Sequence, residues 1–190
     1  MKKRAFVGQR SSLVLSAIVV AHFGWLLETL IFAIFYGGFY DRGFLTMPLC
    51  PIYGITLLFV YILLGTPRSG GVMLGRMRQS GARVLVYFLL AAIIPAVLEL
   101  IGGEVIELIT GEVLWTYEEY EYSFGRYICL EIALLWGLLI LCFTPIFERM
   151  IIGFEKIPRW TRENLSRSFS VLIALDFIGN LIKYIPNLHT

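Results

Sequence analysis

Three carboxylates stand where a lipid bilayer should reject them. Glu28, in GWLLETL, and Glu99 and Glu107, in PAVLELIGGEVIEL, each fall inside a long apolar stretch. A charge at the centre of a spanning helix costs about 2.5–3.5 kcal/mol on insertion scales, so each needs a partner or a proton. Glu99, Gly103 and Glu107 are spaced by four and share one helical stripe, and Gly24 lies one turn before Glu28. A glycine beside a carboxylate lets a neighbouring helix approach closely. Pro95, one turn before Glu99, frees a backbone carbonyl and predicts a kink beside a polar neighbour. Two arginines can answer these charges: Arg42, in DRGFLTMPLCPIYG, and Arg126. The expected substrate-binding set is Glu28, Arg42, Tyr53, Glu99, Glu107 and Arg126, suited to a cation or a small molecule on a transport pathway. A purely structural ion-pair network that fixes helix register would use the same residues, and both readings stay open.

Other chemistries find less support. Cys50, Cys129 and Cys142 have no paired spacing, and His22 and His189 stand alone, so neither a metal site nor a disulfide framework is expected. GTPRSGG, at residues 65–71, has the glycines of a nucleotide loop but no lysine, so no cofactor is expected in this chain. A membrane-embedded enzyme acting on a lipid headgroup is the alternative function. Glu28 or Glu99 would serve as general base, and Arg42 or Arg126 would hold phosphate. No nucleophile is identifiable, which weighs against an enzyme. A non-transporting scaffold subunit is the third reading.

The elements that must position these residues follow from composition. Of 190 residues 58% are hydrophobic, and the mean hydropathy is +0.77. Both exceed ordinary soluble usage and imply an integral membrane protein with little prospect of nucleic-acid binding. Hydropathy predicts one all-α transmembrane domain over 1–190, a polytopic helix bundle with spans near 12–37, 50–66, 83–109, 126–146 and 169–186. The apolar run after MKKRAFVGQR is too long for a cleaved signal and predicts a retained first helix. Basic residues gather before the first helix and in the second and fourth connections. The third carries Glu112, Glu118, Glu119 and Glu121. The positive-inside rule therefore predicts a cytoplasmic N-terminus and an outward-facing stretch at 41–54. Residues 169–186 could instead lie along the interface, because Asp176, Asn180 and Lys183 share a stripe.

At 1.5 Å per residue Glu28 and Glu99 each sit about 24 Å from the start of their helices, in the outer third. An outer-leaflet cluster with Arg42, Glu107 and Arg126 follows, Arg126 opening the fourth helix. Phe44 and Leu45 are too apolar for a free loop, while Pro48 and Pro51 stiffen the approach to the second helix. The stretch is expected to be re-entrant, carrying Arg42 to the carboxylates and Tyr53 to their rim. Trp115, Tyr117, Tyr120 and Tyr122 read as an interfacial belt and Trp136 as core. GRMRQSGAR, at residues 75–83, reads first as a contact for anionic lipid and second as a partner's dock.

GWLLE, DRGFLTMPLCPIYG, LELIGGEVIE, WTY and ICLEIALLWGLL, in this order, resemble the bacterial type IV ABC-transporter permease family over residues 15–145. Glu28, Arg42 to Leu45, Pro48, Pro51 to Gly54, Glu99, Glu107, Trp115 and Tyr117 match that pattern. Asp41 stands for an Asn, Met47 for a Gly and Thr116 for an acid, and Gly125-Arg126 is displaced by one. The resemblance implies a transport subunit. Five spans are few for a pathway, so a homo-oligomer or a separate ATPase subunit is the expected partner, besides membrane lipids.

Overall fold

The computed structural model describes residues 2–39, 43–69 and 71–184. The described chain is all-α, with five helices in order: α1 (Lys2–Tyr36), α2 (Pro51–Leu64), α3 (Gly81–Thr110), α4 (Leu130–Glu155) and α5 (Arg159–Tyr184). Their ends follow local chemistry. Pro51 opens α2, where its fixed φ suits the first turn and its missing N–H costs nothing. Ser80 caps α3 by accepting from the Arg83 amide, and Gly111 closes it, its N–H donating to the Glu107 carbonyl at 2.8 Å.

Among the described residues four helices are long and apolar enough to cross a membrane: Gln9–Phe35, Gly81–Thr110, Leu130–Glu155 and Arg159–Lys183. Their outer faces carry large apolar side chains, among them Ile34, Phe35 and Leu108, that a water-facing surface would not tolerate in such number. The protein is therefore a multi-pass membrane protein. Helix α2 differs. Its 14 residues reach about 21 Å, short of a hydrocarbon core about 30 Å thick.

Four boundaries depart from the hydropathy reading: α1 begins at Lys2 rather than 12, α4 runs on to Glu155 rather than 146, and the starts of α4 and α5 both move. Helix α4 begins at Leu130 rather than 126, because the chain before it folds back on itself. The Tyr117 amide donates to the Arg126 carbonyl at 2.8 Å, the Phe124 amide to Ile128 at 2.8 Å and the Leu130 amide to Tyr122 at 3.0 Å. Arg126 thus sits in this turn and does not open α4. Helix α5 begins at Arg159, ten residues before the predicted apolar start. Arginine and glutamate sustain a helix as well as leucine does, so the polar stretch 159–168 is helical although hydropathy is blind to it.

The chain divides into two compact units, one of Met1–Leu58 with Phe147–Lys183, the other built on Phe59–Ile146. In the first, Ala21 of α1 packs with Leu45 and Leu49 of the non-helical stretch 43–50, and Ile173 and Phe177 of α5 press on the same cluster. The polar backbone of that stretch is answered locally. The Cys50 amide donates to the Ala21 carbonyl at 3.0 Å and the Met47 amide to Asp176 Oδ2 at 2.9 Å. His22 Nδ1 meets the Pro48 carbonyl at 2.9 Å, and the Asn180 amide donates to Thr46 Oγ1 at 3.2 Å. The stripe of Asp176 and Asn180 therefore faces protein. In the second unit Tyr87 is fully buried, its hydroxyl 2.9 Å from Thr144 Oγ1 and 3.0 Å from the Gly65 carbonyl. Arg83, expected on a lipid-facing basic loop, is buried. Its guanidinium donates to the carbonyls of Met77 and Arg68 at 3.2 and 3.3 Å, tying the α2–α3 connection together.

Candidate functional site

Two of the three suspect carboxylates are held by the same device. On α1, Gly24 and Glu28 lie four residues apart on one face. A Cβ on Gly24 would lie 2.5 Å from the Tyr53 ring, so only glycine leaves room for that ring against the helix. The ring so placed carries its hydroxyl to Glu28 Oε1, to which it donates at 2.6 Å. Cys50 Sγ stands 3.8 Å from the other carboxylate oxygen. On α3, Gly103 and Glu107 repeat the spacing. A Cβ on Gly103 would lie 2.5 Å from the Tyr127 ring, and the Tyr127 hydroxyl donates to Glu107 Oε2 at 2.7 Å. The glycine that the spacing marked for helix approach admits a tyrosine in both cases. A phenol that donates to a carboxylate stabilises its charged form in a poorly hydrated place.

Glu107 is also paired with Arg126, whose Nε reaches Glu118 Oε1 at 3.4 Å. The hydrogen bond to Glu107, foremost, holds the guanidinium further into its charged form. Burial, and then the bond it donates to Glu107, pushes the Tyr127 phenol up from its ordinary value. Burial and the Glu131 carboxylate, 2.8 Å from its Sγ, likewise push the Cys129 thiol up. Glu104, Glu107, Leu108, Glu118 and Arg126 line an open cleft of about 450 Å³.

Glu99 is buried, at 7% exposure. The Trp136 indole donates to its Oε1 at 2.9 Å and the Tyr117 hydroxyl at 3.1 Å. Trp136 is therefore core and also a donor to a carboxylate, and Tyr117 turns inward rather than serving only as an interfacial anchor. Arg42 lies outside the described residues. The described residues of the expected set are placed as Glu28 beside Tyr53, Glu99 beside Trp136 and Tyr117, and Glu107 beside Arg126. Tyr127, Trp136, Tyr117 and Glu104 were missed. Only the G-x-x-x-E spacing hinted at a ring beside each glycine, and it does not say which aromatic supplies it. Among the described residues no group of three metal-ligating side chains comes together.

No curated protein and no solved structure matches the chain. A family match runs from residue 15 to residue 181 and takes in every carboxylate described above together with its tyrosine or tryptophan donor. Over that length the chain belongs to the family described as Putative ABC-transporter type IV.

Proposed function

We propose that the chain is a permease-like subunit that admits a cation or a cationic small molecule through its charged sites, and that a separate subunit supplies ATP hydrolysis. The observation that carries this reading is the cleft at the end of α3, where Glu104, Glu107 and Glu118 face a single guanidinium, Arg126. Three carboxylates against one arginine leave an excess of negative charge that a cation would neutralise. Intramembrane carboxylates kept by hydroxyl and indole donors, as Glu28 and Glu99 are, fit the same use. Arg126, the group that a lipid-phosphate enzyme would need, is already engaged by Glu107 and Glu118.

In this reading residues 43–50 are the re-entrant segment that completes the short crossing of α2. Burial of Leu45, Leu49 and Cys50 supports it, as do the backbone partners supplied by Asp176 and Ala21. The N-terminus and the α2–α3 connection are cytoplasmic, as the basic residues of that connection favour.

The test is flux. Membrane vesicles from cells expressing the chain with its ATPase are given ATP and a panel of labelled metal cations and organic amines. Flux that depends on the chain, and that Glu28→Gln, Glu99→Gln and Glu107→Gln abolish while the protein elutes as one folded species, is the expected result. Undiminished flux in folded variants overturns the pathway.

A further inference from the structure

The turn that joins α4 to α5 carries a site of another kind. Arg149 lies one turn before Gly153 on the same face of α4, and the Lys156 amide donates to the Gly153 carbonyl at 3.2 Å as the helix closes. Both cations are exposed. Neither has an ion-pair partner among the described residues, whereas Arg159 is taken by Glu163 at 2.7 Å. Beside them runs a groove of about 370 Å³ lined by Val19, Met150, Gly153, Phe154 and Ile157, without one charged side chain. A Cβ on Gly153 would meet no atom within 4 Å, so the groove lies open there. Trp160, 76% exposed in the first turn of α5, is the type of residue that seeks the headgroup level. A turn between two spanning helices must itself reach a membrane surface. The turn, with Lys156 and Trp160, therefore lies near the headgroups, and the apolar groove runs from it along α4 beside Arg149.

We infer that this groove is a binding site for an anionic phospholipid, one acyl chain lying along Gly153 and the phosphate held between Arg149 and Lys156. A hydrocarbon chain alone gains little by leaving bulk lipid for a protein groove, so the selectivity comes from charge. Each basic side chain near a membrane surface contributes about a fivefold preference, and two together about thirtyfold, for an anionic over a zwitterionic lipid.

The full chain, purified in detergent, is titrated with phosphatidylglycerol and with phosphatidylcholine of identical chains, and bound lipid is counted by native mass spectrometry. Retention of phosphatidylglycerol by about thirtyfold over phosphatidylcholine is expected. Arg149→Gln with Lys156→Gln should erase the preference. Gly153→Leu should lower retention of both lipids by filling the groove. Equal retention of the two lipids by the unaltered chain overturns the inference. So does competition by glycerophosphoglycerol, a headgroup without chains, as effective as that of intact lipid. These last two readouts need no variant to fold.

Discussion

Glu28 and Glu107 are each reached by a phenol whose ring lies where a Cβ would otherwise be, and the glycine is as much part of the site as the acid. The second of these phenols titrates outside the spanning helices, so its effect on stability can be read directly. Tyr127 and Cys129 both keep their protons to higher pH in the folded protein than in the unfolded chain, where the ordinary values are 10.0 and 9.0. The stabilisation they provide is complete below those unfolded values. It is lost as pH rises through the folded ones, because the unfolded state then binds fewer protons than the folded state. Resistance to unfolding by dodecyl sulfate should therefore fall as pH rises above about 9, the ordinary value of the thiol. The fall should be shallower in Tyr127→Phe combined with Cys129→Ala, although that variant is less stable at neutral pH. Equal alkaline slopes in both proteins would show that neither group is linked to folding.

At the scale of the element, glycines in helices divide by what stands opposite them. Tyr127 is 1% exposed and has nowhere to move, so a side chain at Gly103 must push it out of its seat. Gly103→Leu should cost about 1–3 kcal/mol, as overpacking does. Gly179→Ala meets no atom and should be neutral or stabilise by up to about 1 kcal/mol through helix propensity. Detergent unfolding midpoints compare the two, and equal losses would contradict the seating argument. Tyr87→Phe removes a buried hydroxyl shared by Thr144 and the Gly65 carbonyl. A loss of about 1 kcal/mol is expected, since hydrogen bonds inside membrane proteins are worth no more than in water. An unchanged unfolding midpoint would count against it. Helices were legible where apolar length alone decides, as in α3, whose predicted span 83–109 lies within Gly81–Thr110. They were illegible where polar residues continue a helix, as at 159–168, or where a turn delays one, as at 117–129. The carboxylates and the spacing of their glycines could be read because membrane burial makes a charge conspicuous. Of their donors, Tyr53 and Arg126 stood in the expected set and the others did not. Tyr117, Tyr127 and Trp136 come from other segments, and aromatic residues are common enough in membrane proteins for any of several to serve.

At the scale of the whole molecule, the distribution of charge carries the remaining argument. The α2–α3 connection holds Arg68, Arg76 and Arg78 and no acid, while the α3–α4 connection holds Glu112, Glu118, Glu119 and Glu121 against Arg126. Helix α3 is 30 residues long, about 45 Å, and separates the two connections by more than a hydrocarbon core. Lysine and arginine resist transfer across the membrane, so the basic connection should remain cytoplasmic and the acidic one should be outside. The native cysteines allow a clean measurement. Cys50 and Cys129 are buried, and Cys142, though exposed on α4, lies within a spanning stretch that a membrane-impermeant reagent does not enter. The unaltered chain in intact cells should thus stay unlabelled by a membrane-impermeant maleimide. Glu119→Cys should label at once, and Arg76→Cys only after the membrane is opened. Labelling of both before opening would place α3 on the membrane rather than across it. Labelling of Arg76→Cys alone would invert the orientation and put the carboxylate cleft at the end of α3 on the cytoplasmic side, where it would meet cargo leaving the cell before cargo entering it.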